Sequence, residues 1–313
     1  MKLAILGATS QIARDLIIDL ASAGHHELYL FARRPQAVND WLYAQGLAGV
    51  AQVGTFGALG GSGPFEAILN FVGVGDPAQA SAMGARIFDV TQAHDELALA
   101  YLHRHPGTRY LFMSSGAAFG QGFEQPADEN TLARFNLNRL QPQDWYGLSK
   151  LQAEARHRSM PELPIIDIRI FNYFSPTQDL SARFLVTDIL RAIREDSVLI
   201  TSSDYIVRDY LHPHDFHSLI CCLLRASPTN DAVDCFTRAP IDKSTLLACM
   251  ESRFGLKYEV AGPSAHVNAT GLKRNYYSVN RRAGHYGFVP TMTSLDCLVD
   301  GFCKVLKASP LKN

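Results

Sequence analysis

The segment Trp145-Tyr146-Gly147-Leu148-Ser149-Lys150 places a phenol and an ammonium four positions apart. A helical course through it, suggested by the run Leu151-Gln152-Ala153-Glu154-Ala155 that follows, puts Tyr146 and Lys150 on one face. A phenol in water ionises at a pH of about 10, too high for a useful base at neutrality, and a fixed cation beside it favours the phenolate. Such a tyrosine can act as a general acid/base. A half-buried tyrosine over a snorkelling lysine has the same spacing, so the remaining chain must decide between the two.

The elements that would position this pair begin at the N-terminus. Residues 2–6 read as a short buried strand, followed by Gly7-Ala8-Thr9-Ser10-Gln11-Ile12-Ala13 and an amphipathic run from Ile12 to Leu20. Strand, tight turn and helix leave backbone N–H groups exposed at the helix start, a site for a pyrophosphate. Gly7, Thr9, Ser10, Gln11 and Ile12 are its candidate residues; Ser10 and Ala13 stand where a dinucleotide fingerprint has further glycines, and both are small. A second strand over residues 27–32 ends in Arg33-Arg34-Pro35. An acidic residue there would favour NAD, whereas Arg33 or Arg34 can pair with the 2′-phosphate of NADP, the alternative being a solvated basic loop.

Residues 50–56 are a third candidate strand, and the apolar run 67–76 is a fourth that dissolves into glycines. Val72 and Gly73 there are candidates to line the adenosine and its ribose. A helix over about 83–103 and a strand over 110–113, ending in Ser114-Ser115-Gly116, continue the alternation that marks a doubly wound parallel sheet. Beyond the Tyr146 helix come a strand at 165–170, a helix at 182–195, a strand at 198–200 and helices near 215–226, 244–253 and 294–307.

Composition excludes several partners. Lys+Arg 29 against Asp+Glu 30 leaves a formal charge of -1, which recommends neither nucleic acid nor an anionic membrane. The apolar N-terminal run is too short for a signal-peptide core and no later run is long enough to span a bilayer, so the expectation is a soluble cytoplasmic protein. The six cysteines lie in the C-terminal third without a Cys-x-x-Cys pair and read as small hydrophobes. His212-x-His214-Asp215-x-His217 has metal-ligating residue types, but no metal is expected.

Several stretches occur in an order that resembles the extended short-chain dehydrogenase/reductases, in particular the NAD(P)-dependent epimerase/dehydratase group acting on nucleotide sugars. They are Gly7-x-x-Ser10-x-x-Ala13, residues 114–120, Pro126-Ala127-Asp128-Glu129, Pro142-x-x-x-Tyr146-Gly147-x-Ser149-Lys150, Arg169-x-x-Asn172-x-Phe174-Ser175-Pro176, residues 208–215 and Gly287-Phe288-Val289-Pro290. The likeness runs from residue 2 to about 305 and departs at Thr55-Phe56, where the family has an acidic adenine contact, and at Asp89, where it has an asparagine.

The resemblance implies an α/β fold: a Rossmann-type doubly wound parallel sheet with a smaller, interleaved C-terminal substrate-binding domain. The nucleotide-binding part is expected over 1–172 plus about 201–240, and the smaller one over 173–200 and about 241–313. It also implies that Tyr146 exchanges a proton with the substrate oxygen, that Lys150 lowers the pKa of Tyr146 and holds the nicotinamide ribose, and that Ser115 hydrogen-bonds the same oxygen. Asn172 and Arg208 would lie toward the substrate phosphates, unless Arg208 is consumed by an ion pair with Asp209 or Asp215. The expected cofactor is NADP, with NAD as alternative, and the expected partner a nucleotide sugar, with a homodimer left open. Hydride transfer at one sugar carbon by a 4-ketoreductase is the favoured activity, ahead of a 4-epimerase. A non-catalytic NADP sensor is the reading from another class. Ser115 precedes Gly116-Ala117-Ala118, which lack the acid/base groups a 4,6-dehydratase needs.

Overall fold

A computed structural model describes residues 1–74, 80, 82–262 and 273–308; the glycine-rich end of the expected fourth strand, Gly75 and Asp76, lies outside them. The first half alternates β1 (Lys2–Leu6), α1 (Gln11–Ala23), β2 (Glu27–Phe31), α2 (Pro35–Ala44), β3 (Ala51–Gly54), β4 (Ala67–Asn70), α3 (Arg86–Arg104) and β5 (Arg109–Ser115). Next come α4 (Pro142–Arg158), β6 (Ile165–Ile170), β7 (Asn172–Tyr173), α5 (Leu185–Glu195), β8 (Val198–Thr201), β9 (Val207–Arg208), β10 (Tyr210–Leu211) and α6 (Pro213–Arg225). The chain then forms β11 (Asp231–Asp234), β12 (Ile241–Asp242), α7 (Lys243–Phe254), β13 (Lys257–Val260), β14 (Asn275–Tyr276) and α8 (Ser294–Ala308).

Seven strands form one sheet in the order β11-β6-β5-β4-β1-β2-β3, every neighbouring pair parallel. The order reverses between β1 and β4, so Gly7 and the Val72–Gly73 stretch stand together beyond the C-terminal ends of adjacent strands, the crevice where doubly wound sheets take ligands. Strand alternation divides the core in two. Leu3, Ile5, Leu28, Leu30, Leu69 and Leu111 pack with apolar residues of α1, α2 and α6 on one face. Ala4, Leu6, Ile68, Tyr110 and Phe112 pack with Ala98, Leu99, Tyr101 and Leu102 of α3 on the other. A further cluster gathers Ile189 and Leu190 of α5, Leu246 and Met250 of α7 and Leu298 and Phe302 of α8. Beside it, β12, β9 and β14 form a three-stranded sheet and β13 pairs with β8.

Three elements depart from the sequence-based expectation. Asp231-Ala232-Val233-Asp234, too short and acidic to announce a strand, is β11, because β6 supplies its ladder and Arg169 and Arg282 take its carboxylates. The strand expected over 67–76 ends at Asn70, whose side-chain oxygen accepts the Val72 N–H and turns the chain. The helix expected from 182 starts at Leu185, because the Thr187 hydroxyl accepts the Phe184 N–H and caps it there.

Helix α4 is set against the 3₁₀ turn Gly116–Phe119 by a glycine. A Cβ on Gly147 would fall 2.3 Å from the Ala117 carbonyl oxygen, so the two backbones touch there. Alanine is ordinarily about 1 kcal/mol better than glycine inside a helix. Here Gly147→Ala is expected to destabilise by about 1–3 kcal/mol through overpacking. Calorimetry would show a melting temperature lowered by a few degrees, and an equal or higher value would mean that the contact is loose.

Candidate active site

Ser115 ends β5, and its hydroxyl oxygen accepts the Ala117 N–H at 3.2 Å. Helix α4, opened by a capping box between Gln141 and Asp144, carries the Tyr146 phenol toward this oxygen, near enough for the Ser115 hydroxyl to act on its pKa. One turn on, Lys150 is buried and donates to the Met113 carbonyl at 2.8 Å, with its ammonium 4.5 Å over the Phe112 ring. The three residues singled out as catalytic are therefore assembled at the C-terminal edge of the sheet.

Their electrostatics differ from the sequence expectation that Lys150 lowers the Tyr146 pKa. Burial moves the Tyr146 phenol upward from its ordinary value, opposed by the neighbouring Ser115 hydroxyl. The Lys150 ammonium points to Met113, 5.9 Å from the Tyr146 ring centroid, instead of pairing with the phenol. Burial lowers Lys150 itself to about 8, against the opposing charges of Asp95, Glu154 and Asp167. The reason is geometric: the backbone carbonyl of β5 lies nearer the lysine than the phenol one helical turn away.

Those three carboxylates belong to a polar network beneath α4. His157 lies fully buried between Asp167, at 2.6 Å from Nδ1, and Asp95, at 2.8 Å from Nε2. Tyr110 donates to Asp95 at 2.9 Å and receives the Asn70 amide at 2.8 Å, so the residue that turns the chain at Val72 is tied to the end of α4. Glu154 accepts from Ser114 and from Arg169, which also reaches Asp234. Burial alone would lower the His157 pKa, but the hydrogen bonds and charges of Asp167 and Asp95 outweigh it and hold the imidazole at about 9.

The nucleotide-binding candidates fall around the crevice. Gly7, at φ +80°, packs so closely that a Cβ would stand 2.9 Å from the Phe71 carbonyl carbon and Val72 nitrogen. Ser10 takes the cap position of α1 without a side-chain cap bond, leaving the first N–H groups of Gln11 and Ile12 for an anion; Thr9 is exposed on the turn. Gln11 donates to Ser175 at 2.9 Å, bridging the turn to the segment after β7. A Cβ on Gly73 would meet the Lys150 ammonium at 3.3 Å, which puts the β4 loop directly over the lysine. Arg33 and Arg34 lie exposed beyond β2 and enter no ion pair among the described residues. These residues fit a dinucleotide: a close-packed turn, open helix N–H groups, and a desolvated ammonium with a backbone carbonyl as its partner.

Asn172 and Arg208 are brought together by short strands. Asn172 donates to the carbonyls of Asp209 and Tyr276, at 3.3 and 3.2 Å. The Arg208 guanidinium donates to the carbonyls of Val207 and Lys273, both at 2.8 Å, and has no carboxylate partner among the described residues. Asp209 is taken by Thr237 and Ser294 and Asp215 by Thr291 and Met292, so neither pairs with it. Two neighbours escaped the sequence reading. Lys273 lies 4.6 Å over the Tyr276 ring, and burial followed by repulsion from Arg208 lowers its pKa to about 8. Tyr276 itself stands 3.3 Å from the Ser115 hydroxyl. The only signal was a basic pair followed by an aromatic pair, Lys273-Arg274-Asn275-Tyr276-Tyr277, in a stretch without periodicity. His212 caps α6 by accepting the His214 N–H and pairs with Asp300.

Fold and crevice together define a Rossmann-type dinucleotide-binding enzyme. The sequence profile of the NAD dependent epimerase/dehydratase family matches residues 3–235, and the chain belongs to that family. Among curated proteins no relative matches. Among solved structures it is similar to a UDP-glucuronic acid 4-epimerase from Bacillus cereus in complex with UDP-glucuronic acid and NAD. The two share 14% identity at a TM-score of 0.79 over 99% of this chain and 100% of that one. It is also similar to a dTDP-glucose 4,6-dehydratase from Bacillus anthracis in complex with NAD, at 16% identity and a TM-score of 0.77 over 98% and 97% of the chains. A UDP-glucose-4-epimerase from Stenotrophomonas maltophila, with bound NAD and formylated UDP-arabinopyranose, gives 17% identity and a TM-score of 0.79 over 98% of both. At these identities the likeness establishes the fold. Among the described residues no helix is long and apolar enough to cross a membrane.

The His157 network generates a pH prediction. An imidazole at about 9 in the folded chain, against about 6.5 unfolded, binds more protons folded than unfolded between those values. Its stabilisation is fully present below about pH 6.5 and lost as pH rises through about 9. His157→Gln should therefore destabilise the fold most at the acidic end, by on the order of 3 kcal/mol at most, and show its largest drop in melting temperature there. Melting curves of the two proteins should converge above about pH 9; a gap constant with pH would mean that folding leaves the imidazole's pKa unshifted.

Proposed function

We propose that this protein is an NAD(P)-dependent oxidoreductase that moves a hydride at one carbon of a nucleotide sugar, and that it is a 4-ketoreductase. The observation that carries the reading is the meeting of Tyr146 and Ser115 at the sheet edge over the buried Lys150, which lies under the Gly73 loop, with two cations that have no carboxylate partner among the described residues, Arg208 and Lys273, beyond it. Bound at the crevice, the nicotinamide supplies or accepts the hydride. Tyr146 gives or takes the proton at the sugar oxygen, Ser115 holds that oxygen by its hydroxyl, and Lys150 holds ribose hydroxyls. Arg208 and Lys273 neutralise the diphosphate, Arg208 through planar donors that can meet two oxygens. The smaller C-terminal part, over 173–200 and about 241–313, is proposed as the sugar-nucleotide side.

No ionisable residue follows Ser115 in Gly116-Ala117-Ala118, which favours exchange of hydride and proton at a single carbon over dehydration. A 4-epimerase is the second reading, favoured by the UDP-glucuronic acid and UDP-glucose 4-epimerases among the similar structures. The exposed Arg33 and Arg34 tilt the choice toward an NADPH-consuming reductase. With a 4-keto sugar nucleotide and excess NADPH, a reductase oxidises cofactor in proportion to product. Interconversion of two hydroxy-sugars without net cofactor change would reverse the order.

Tyr146→Phe should reduce turnover roughly a hundredfold to ten-thousandfold while leaving cofactor affinity nearly unchanged. Wild-type turnover in that variant would remove the proton-transfer assignment. For the cofactor, titration should show NADP binding tighter than NAD. Replacing Arg33 and Arg34 by alanine should narrow the preference about tenfold or more, as expected for the loss of hydrogen bonds to a charged group. Equal or tighter NAD binding by the unaltered protein would count against NADP.

A further inference from the structure

Ser115 has one proton to give and two lone pairs to receive. One lone pair takes the Ala117 N–H at 3.2 Å. Two phenols face the rest: Tyr276 from β14, at 3.3 Å, and Tyr146 from α4, whose pKa the Ser115 hydroxyl lowers. Tyr276 is not free to turn elsewhere. Its carbonyl receives the Asn172 amide, its strand pairs with β9 at Arg208, and its ring is packed against Phe123 and Phe171.

We propose that Tyr276 is a positioning residue for the proton-transfer pair: its hydroxyl donates to Ser115 and so turns the single Ser115 proton toward the Tyr146 oxygen. The inference rests on Tyr146 being the proton-exchanging group. When Tyr146 is the phenolate, it can only accept, so Ser115 must donate to it and the remaining Ser115 lone pair must be filled from Tyr276. Three hydroxyls then form a directed chain, Tyr276 to Ser115 to Tyr146, stabilising the charged form of the last. Tyr276 suits the donor role because burial keeps its phenol protonated far above neutrality. The charged groups around the chain are Lys150 on α4, Arg208 on β9 and Lys273 before β14, with Asp144 acting on Lys273 from the start of α4. None of these cations donates to Ser115, so the chain has its direction from Tyr276.

The test places fluorotyrosine at position 146 of the intact chain and follows its ionisation by fluorine NMR against pH. This reads one phenol and needs no sugar. Tyr276→Phe should raise the midpoint by about one pH unit, a tenfold loss of phenolate at fixed pH. Ser115→Ala should raise it at least as far, and adding Tyr276→Phe to Ser115→Ala should move it no further. Tyr277→Phe, one residue along, should leave it in place. An unmoved midpoint in Tyr276→Phe or Ser115→Ala, an equal Tyr276→Phe shift in the absence of Ser115, or an equal shift in Tyr277→Phe would overturn the proposal. A wrong substrate class leaves these readings unchanged, whereas full turnover in Tyr146→Phe retires the functional reading by its own measurement.

Discussion

Lys150 carries its ammonium into a nearly dry region, and among the described residues no carboxylate touches it. A buried charge without compensation costs several kcal/mol, so this one must be held by groups at a distance. Asp95, Glu154 and Asp167 supply that field, and each is itself buried and needs donors. Tyr110 and His157 answer Asp95, His157 and Arg158 answer Asp167, and Ser114 with Arg169 answers Glu154. The polar residues among α3, α4, β5 and β6 thus follow from keeping one cation charged where water does not reach.

The opposite wall is built differently. Ser115 and Lys150 rest on the seven-stranded sheet and the long helix α4, while Asn172, Arg208 and Tyr276 come from strands of two residues each. Such strands contribute few ladder bonds, and side chains make up the difference: Asn172 clamps the backbones of Asp209 and Tyr276, and Arg208 clamps those of Val207 and Lys273. Arg208 therefore has two tasks, holding its own neighbourhood together and presenting positive charge.

Much of this was legible in the sequence because it depends on local rules. The four-residue offset of Tyr146 and Lys150, the glycine at the first turn and the alternation of strand with helix each carry a geometric meaning within a few residues. The direction of the lysine was not legible, since it depends on a β5 carbonyl distant in sequence. Nor was β11, whose pattern of acid, apolar, apolar, acid makes sense only beside β6 and its arginine. Tyr276 lies 161 residues from Ser115, and nothing in its surroundings marks it as a partner of that hydroxyl.

The chain of bonds from Val72 through Asn70, Tyr110 and Asp95 to His157 crosses four consecutive elements of the fold. A partly satisfied buried network is worse than an apolar interior, so none of its members can be exchanged alone without stranding the others. The piece of this protein that could be grafted onto a relative is thus not α4 with its tyrosine and lysine. It is a patch made of β4, α3, β5 and α4 together, and natural recombination that breaks inside the patch would yield chains that keep Ser115, Tyr146 and Lys150 yet misplace the loop above the lysine.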